Sequence, residues 1–171
     1  MIIEEDVAFN PHILMDIRKS SLQYRIAFIS GCFDLLHADH VRFLIECGEF
    51  NYLTVIGVAS DEVVRARKGP DRPIFNRQMR MEMLDGLRHV SYIFRDTLTT
   101  PGHLLEPLLN FTFQHLKPDH YIVRPDDFDI PARQEICDKY GVKLVVLPPS
   151  MHRTSTTEVA KRLKNGEAET A

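Results

Sequence analysis

The chain has 171 residues, 44% hydrophobic and 26% charged, with a formal net charge of -3 at pH 7. That balance fits one globular domain, residues 1–171, with apolar material for a core, and it argues against a basic nucleic-acid binder or a polybasic membrane-surface protein. No apolar run approaches the roughly 20 residues that span a bilayer, and the start Met1-Ile2-Ile3-Glu4-Glu5-Asp6 is too acidic for a signal peptide.

The first 20 residues carry the weakest signal; Ile13, Leu14 and Ile17 predict a short helix at the edge of a sheet. Tyr24 to Ser30 is an apolar run that predicts a strand, followed by a glycine turn at Gly31 and a helix reaching about Gly48. Tyr52 to Ala59 predicts a buried strand, and Ser60-Asp61-Glu62 has the chemistry of a helix start. Arg67 to Pro73 reads as a loop, Asn76 to Leu87 as a helix, and Val90 to Phe94 as a third strand. After a loop from Asp96 to Gly102, a helix ends near His115; Pro107 suits a first turn, which places the helix start near Leu105. His120 to Val123 is a fourth strand, Ala132 to Tyr140 a helix capped by Gly141, and Lys143 to Leu147 a fifth strand. A last helix runs from near Thr156 to about Lys164, and 165–171 reads as a mobile tail. Five strands alternating with helices predict a doubly wound α/β domain with a parallel sheet covered on both faces.

The densest chemistry lies in Gly31-Cys32-Phe33-Asp34-Leu35-Leu36-His37-Ala38-Asp39-His40. A glycine turn leading into a helix N-terminus is an anion site in waiting, because the first N–H groups are free and the helix dipole is positive there. His37 and His40 stand three residues apart at that start and can face one guest, most simply a phosphate. Each feature also has a plain structural use. The histidines can be ordinary helix-start residues, Asp34 can turn the loop by accepting N–H groups, and Lys68 can be a solvated loop lysine. Ser155 and Thr156 can serve as an N-cap, and Cys32 can simply be small enough for a tight loop. The three cysteines, Cys32, Cys47 and Cys137, offer neither a disulfide framework nor zinc spacing, and point to the reducing cytoplasm.

Gly31-x-Phe33-Asp34-x-x-His37-x-x-His40 resembles the G-x-F-D-x-x-H-x-G-H signature of the cytidylyltransferase-like nucleotidyltransferases. Ser60-Asp61, Arg67-Lys68-Gly69, Arg72-Pro73 and Arg80-x-x-x-Leu84 resemble the family's central segment in order and spacing. Asp126-Asp127-Phe128 resembles its element after the fourth strand, and Ser155-Thr156-Thr157 its S-T-T motif. The likeness runs from about Tyr24 to Lys164 and implies a Rossmann-like five-stranded sheet with the first strand beside the fourth.

The resemblance also implies an activity. A nucleotidyl group passes from CTP or ATP to a phosphorylated alcohol or sugar, and pyrophosphate leaves. His37, His40 and Lys68 are the implied catalytic residues; Gly31, Cys32, Phe33, Asp34, Arg80, Asp126, Asp127, Arg153, Ser155, Thr156 and Thr157 are the implied nucleotide-binding set. Mg²⁺ is implied as the triphosphate's companion and a homodimer as the assembly. The run Arg67 to Pro73 resembles the heptose-phosphate branch, whereas Asp-Asp-aromatic leans to the glycerol-phosphate branch. Asp39 stands where the signature has glycine, Pro125 replaces a glycine, and Met151 to Thr154 lacks one. Asp39 keeps a second reading open, a non-catalytic nucleotide-binding or regulatory protein on the same fold.

Overall fold

Strands rich in Ile, Val and Phe alternate with helices that start at polar caps, and the chain winds back and forth across one sheet. The computed structural model describes residues 1–49, 52–101, 105–148 and 156–166. The order is α1 (His12–Ser20), β1 (Arg25–Gly31), α2 (Ala38–Glu49), β2 (Tyr52–Val58), α3 (Asp61–Lys68), α4 (Arg77–Asp85), β3 (Tyr92–Arg95), α5 (Glu106–His115), β4 (His120–Val123), α6 (Ile130–Tyr140), β5 (Lys143–Val146) and α7 (Thr156–Asn165). Caps fix several of these starts and stops. The Ser60 side chain accepts the Val63 N–H, the Asn76 side chain accepts the Met79 N–H, and Gly141 ends α6 at φ 67°. α6 begins at Ile130, two residues before the start expected from its spacing.

All strands pair in parallel, in the order β3-β2-β1-β4-β5. Side chains alternate across each strand, so β1 sends Ile26 and Phe28 to one face and Ala27 and Ile29 to the other. On the first face they meet Leu14 and Ile17 of α1, Leu108, Leu109 and Phe113 of α5, and Cys137 of α6. On the second face they meet Phe43, Leu44 and Cys47 of α2 and Met81 and Leu84 of α4. Two cores on opposite faces make the sheet doubly wound, as the alternation of elements predicts.

The N-terminal segment departs from expectation. The short helix α1 exists, but it packs on the face of the sheet beside α5 and not at its edge. The edge is extended by residues 1–3: the Ile3 N–H donates to the Ile93 carbonyl at 2.8 Å, and the Ile93 N–H to the Met1 carbonyl at 3.0 Å. That covers an open strand edge that would otherwise present unpaired backbone groups. Of the expected tail, residues 167–171 lie outside the described residues.

Two buried arginines hold the loop after β1. Arg72 pairs with Asp34 at 2.5 Å, and Asp34 Oδ1 accepts the N–H groups of Ile74 (3.0 Å) and Phe75 (3.1 Å). Burial pushes the Asp34 carboxyl up, but the Phe75 and Ile74 N–H groups and the Arg72 guanidinium outweigh it and hold its pKa below the ordinary value. Arg80 is fully buried. It donates to the carbonyls of Phe75 (3.1 Å), Cys32 and Ala59 (2.8 Å) and pairs with Asp61 Oδ1 at 2.7 Å. One side chain therefore ties together the loop after β1, the turn after β2, α3 and α4. Asp34 and Arg80, implied by the resemblance to bind nucleotide, lie beneath the loop, where these bonds run to protein groups.

Replacing Arg80 with Met leaves three carbonyls and a carboxylate without their donor. Arg80→Met is expected to lose about 3–5 kcal/mol of unfolding free energy, and Arg80→Lys a smaller part of it. Urea denaturation checks this; a loss below about 1 kcal/mol for Arg80→Met contradicts it.

Candidate functional site

The β1–β4 pairing is confined to Ala27↔His120 and Phe28↔Tyr121, whereas β1 pairs with β2 along its whole length from Arg25 to Gly31. Chain order also reverses there, since β2 and β3 lie to one side and β5 to the other. A sheet of this kind opens a crevice outside the carboxyl ends of its strands at that position. A cavity of about 500 Å³ fills it, walled by the loop after β1, the end of α3 and the loop between β4 and α6. A second recess lies at the opposite ends of β1, β4 and β5, lined by Arg25, Lys117, His120 and Lys143 among others, and holds none of the motif residues.

The first wall is built on Gly31 and Phe33. Phe33 adopts φ 50°, uncommon for a residue with a side chain, and its ring folds back over Gly31. A Cβ at Gly31 would stand 2.9 Å from that ring, so glycine is what the packing requires. The ring also packs on His40, with centroids 5.5 Å apart. His37 immediately precedes α2 and its carbonyl accepts the Val41 N–H; His40 sits in the first turn. The two imidazoles stack with centroids 3.9 Å apart. Both Nδ1 atoms are buried and have no hydrogen-bond partner among the described residues.

Charge around the pair favours neutral rings. Burial lowers the His37 pKa, with Lys68 adding to it and Asp39 opposing it. Burial, then His37 and Lys68, push His40 down to about 3. Lys68 is the last residue of α3, where the helix dipole favours a cation, and Gly69 then turns the chain at φ 104°. Asp39 lines the cavity with its side chain 14% exposed, and its Oδ1 accepts from Arg42 Nη1 at 3.1 Å.

The far wall comes from β4 and the loop after it. Tyr121, fully buried, shares a hydrogen bond with Ser30 Oγ at 2.8 Å and accepts from Arg133 Nη1 at 3.0 Å. Burial pushes its phenol up to about 12, so it stays protonated. Asp127 Oδ2 accepts the Arg124 N–H at 3.0 Å, and the Arg124 guanidinium pairs with Glu46 at 3.1 Å. Phe128 lies between two guanidiniums, Arg67 at 4.4 Å and Arg133 at 4.7 Å from its ring centroid. Such contacts are worth about 0.5–2 kcal/mol each and link the α3 side of the cavity to the α6 side.

Of the residues singled out from sequence, Gly31, Cys32, Phe33, His37, His40, Lys68, Asp126 and Asp127 line this cavity together. Asp34 and Arg80 do not. Thr156 and Thr157 open α7, with Thr157 exposed and outside the cavity lining. Arg153 and Ser155 lie outside the described residues. Cys32 packs beside the small cluster of Ala59, Val63 and Val64, as its size suggests. Sequence reasoning missed Ser30, Tyr121, Arg124 and Arg133. The only available signal for Arg133 is a cation one turn into the helix that follows the Asp-Asp-aromatic element.

A family model described as cytidylyltransferase-like matches residues 28–162. The chain is 32% identical to the bifunctional protein HldE of Campylobacter curvus (strain 525.92) over 143 residues, 84% of this chain and 28% of that protein. It is 34% identical to the HldE protein of Alcanivorax borkumensis over 142 residues, 82% of this chain and 28% of that protein. The chain thus spans less than a third of the length of these relatives. In fold it is similar to the lipopolysaccharide core biosynthesis protein from Thermoplasma volcanium GSS1, with a TM-score of 0.58 and 24% identity over 76% of this chain and 99% of that one. It is also similar to pantoate-beta-alanine ligase from Francisella tularensis, with a TM-score of 0.59 and 15% identity over 96% of this chain and 77% of that one. With the motifs, the parallel sheet and the crevice at its switch point in agreement, the chain belongs to the cytidylyltransferase-like family.

Proposed function

We propose that the chain transfers a nucleotidyl group from CTP or ATP to a phosphorylated alcohol or sugar. The observation that carries this reading is the stacked His37–His40 pair, with unpartnered buried Nδ1 atoms, beside Lys68 in the β1–β4 crevice. ATP with a sugar phosphate is the first pair to test, supported by the resemblance of the Arg67 to Pro73 run to the heptose-phosphate branch.

An oxygen of the acceptor phosphate attacks the α-phosphorus as the bond from that phosphorus to the bridging oxygen breaks. The electron pair leaves on pyrophosphate. The nucleophile is already an anion, so the protein needs no general base. Its work is to align two anions and to stabilise charge that moves toward the leaving group. Neutral His37 and His40 serve as hydrogen-bond donors to the triphosphate, and Lys68 supplies positive charge from the end of α3. Asp126 and Asp127 face the nucleoside, and the outer phosphates are assigned to the Ser155-Thr156-Thr157 start of α7 by the family resemblance alone.

Among the described residues, no three His, Cys, Asp or Glu side chains converge as a metal site. Mg²⁺ bound with the triphosphate would supply charge neutralisation.

The second reading, nucleotide binding without turnover, is favoured by Asp39. Its carboxylate faces the cavity that would hold the triphosphate, offset on one side by Arg42. Pyrophosphate release, measured with four ribonucleoside triphosphates against a panel of phosphorylated sugars and alcohols, separates the two. Transfer predicts turnover with ATP or CTP, and Asp39→Gly is expected to lower the nucleotide KM by about threefold to tenfold by removing like-charge repulsion. ATP or CTP binding with no turnover for any pair, in either protein, contradicts transfer.

The neutral pair also predicts a pH dependence. His40 titrates near 3 in the folded chain against an ordinary 6.5, so the unfolded chain takes up the proton first as pH falls. The sign follows: stability is retained above about pH 6.5 and lost progressively toward pH 3. At pH 5 the loss from this group is about 1–2 kcal/mol. His40→Gln should flatten the fall in melting temperature between pH 7 and 5. Parallel curves for the two proteins contradict the assignment.

A further inference from the structure

We propose that Arg133 forms a second anion site in the crevice, distinct from the His37–His40–Lys68 side, and that it takes the phosphate of the acceptor. The assignment of that phosphate to the acceptor rests on the transfer reading above; the anion site itself does not.

Three arginines are buried among the described residues: Arg72, Arg80 and Arg133. A buried guanidinium without a partner is costly, so each should have found an anion. Arg72 has Asp34 at 2.5 Å and Arg80 has Asp61 at 2.7 Å. Arg133 is only 4% exposed, yet its paired carboxylate, Asp127, stands 3.7 Å away. That same Asp127 oxygen already accepts the Arg124 N–H. Among the described residues, its side chain also meets the Tyr121 hydroxyl, which is neutral, and the faces of Tyr121 and Phe128. Its Nε is buried and has no hydrogen-bond partner among the described residues. Arg133 lines the main cavity. A buried cation with an open donor at a cavity wall suits an anion brought by a ligand, and a guanidinium suits phosphate in particular.

The surroundings orient it. Tyr121 and Ser30 fix one arm of the fork from β4 and β1, and Phe128 covers its face. The His pair lies on the α2 side of the crevice and Arg133 on the α6 side. Two phosphates meeting between them are each held by separate positive or donor groups, which is the arrangement that attack of one phosphate on another requires.

Isothermal titration with inorganic phosphate at constant ionic strength tests the site, using wild type, Arg133→Met, Arg133→Lys, Tyr121→Phe and, as a control, Lys143→Gln. Phosphate affinity is expected to fall about tenfold or more in Arg133→Met, by less in Arg133→Lys, and about threefold in Tyr121→Phe, while Lys143→Gln, in the recess at the opposite end of the sheet, stays within about twofold. If Arg133→Met does not fold, Arg133→Lys and Tyr121→Phe, which keep the charge and the ring, carry the test. Phosphate binding unchanged in the Arg133 and Tyr121 variants, or lost equally in Lys143→Gln, overturns the proposal. With an active pair in hand, the folded Arg133 variant should raise the acceptor KM and leave the nucleotide KM within twofold; the reverse split overturns the acceptor assignment. Arg133-dependent phosphate binding in a protein with no turnover would defeat the transfer reading and leave the anion site standing.

Discussion

Arg80 is the contact on which the rest of the site depends. Its guanidinium gathers the carbonyls of Cys32, Ala59 and Phe75 with the carboxylate of Asp61, and so fastens the ends of β1 and β2 to the helices that follow. Asp34 and Arg72 brace the same loop from below. With the loop held from its buried side, Phe33 can fold over Gly31 and support the ring of His40. Without that anchoring, the strained backbone at Phe33 and Leu35, both at positive φ, would have nothing to oppose its relaxation. Rigid support and exposed chemistry are divided between neighbouring residues of one short segment.

The crevice follows from sheet topology and not from any single side chain. β1 and β4 pair over two positions and leave their carboxyl ends open. The elements that crowd this opening bring neutral imidazoles, a lysine and two guanidiniums stacked on Phe128, along with the acids Asp39, Asp126 and Asp127. Keeping the imidazoles neutral lets them stack at 3.9 Å without mutual repulsion. The same burial makes them sensitive to any charge that enters, because field strength grows as water is excluded.

The strands and most helices were legible because apolar runs, Ser60, Asn76 and Gly141 speak through local physics alone. The motif residues on the wall, from Gly31 to His40, were legible for the same reason, as a turn leading into a helix start. What was not legible depends on tertiary pairing. Hydrophobic spacing shows that α1 has an apolar side but not that the side meets α5. Nothing in the sequence around Arg80 distinguishes a phosphate ligand from a guanidinium that binds carbonyls of three other segments. Arg133 was invisible because its meaning lies in a missing close carboxylate, which only the packed structure shows. Asp39 remains where the sequence put it, on the cavity wall, now with Arg42 at its side.

The central claim is that the triphosphate lies over His37 and His40. Imidazole NMR resonances, followed as methylene-bridged analogues of ATP and CTP are added with Mg²⁺, test it most directly. The account predicts that one analogue shifts the His37 and His40 signals and leaves His120, in the recess at the opposite end of the sheet, unmoved. Shifts at His120 with His37 and His40 unchanged would contradict it.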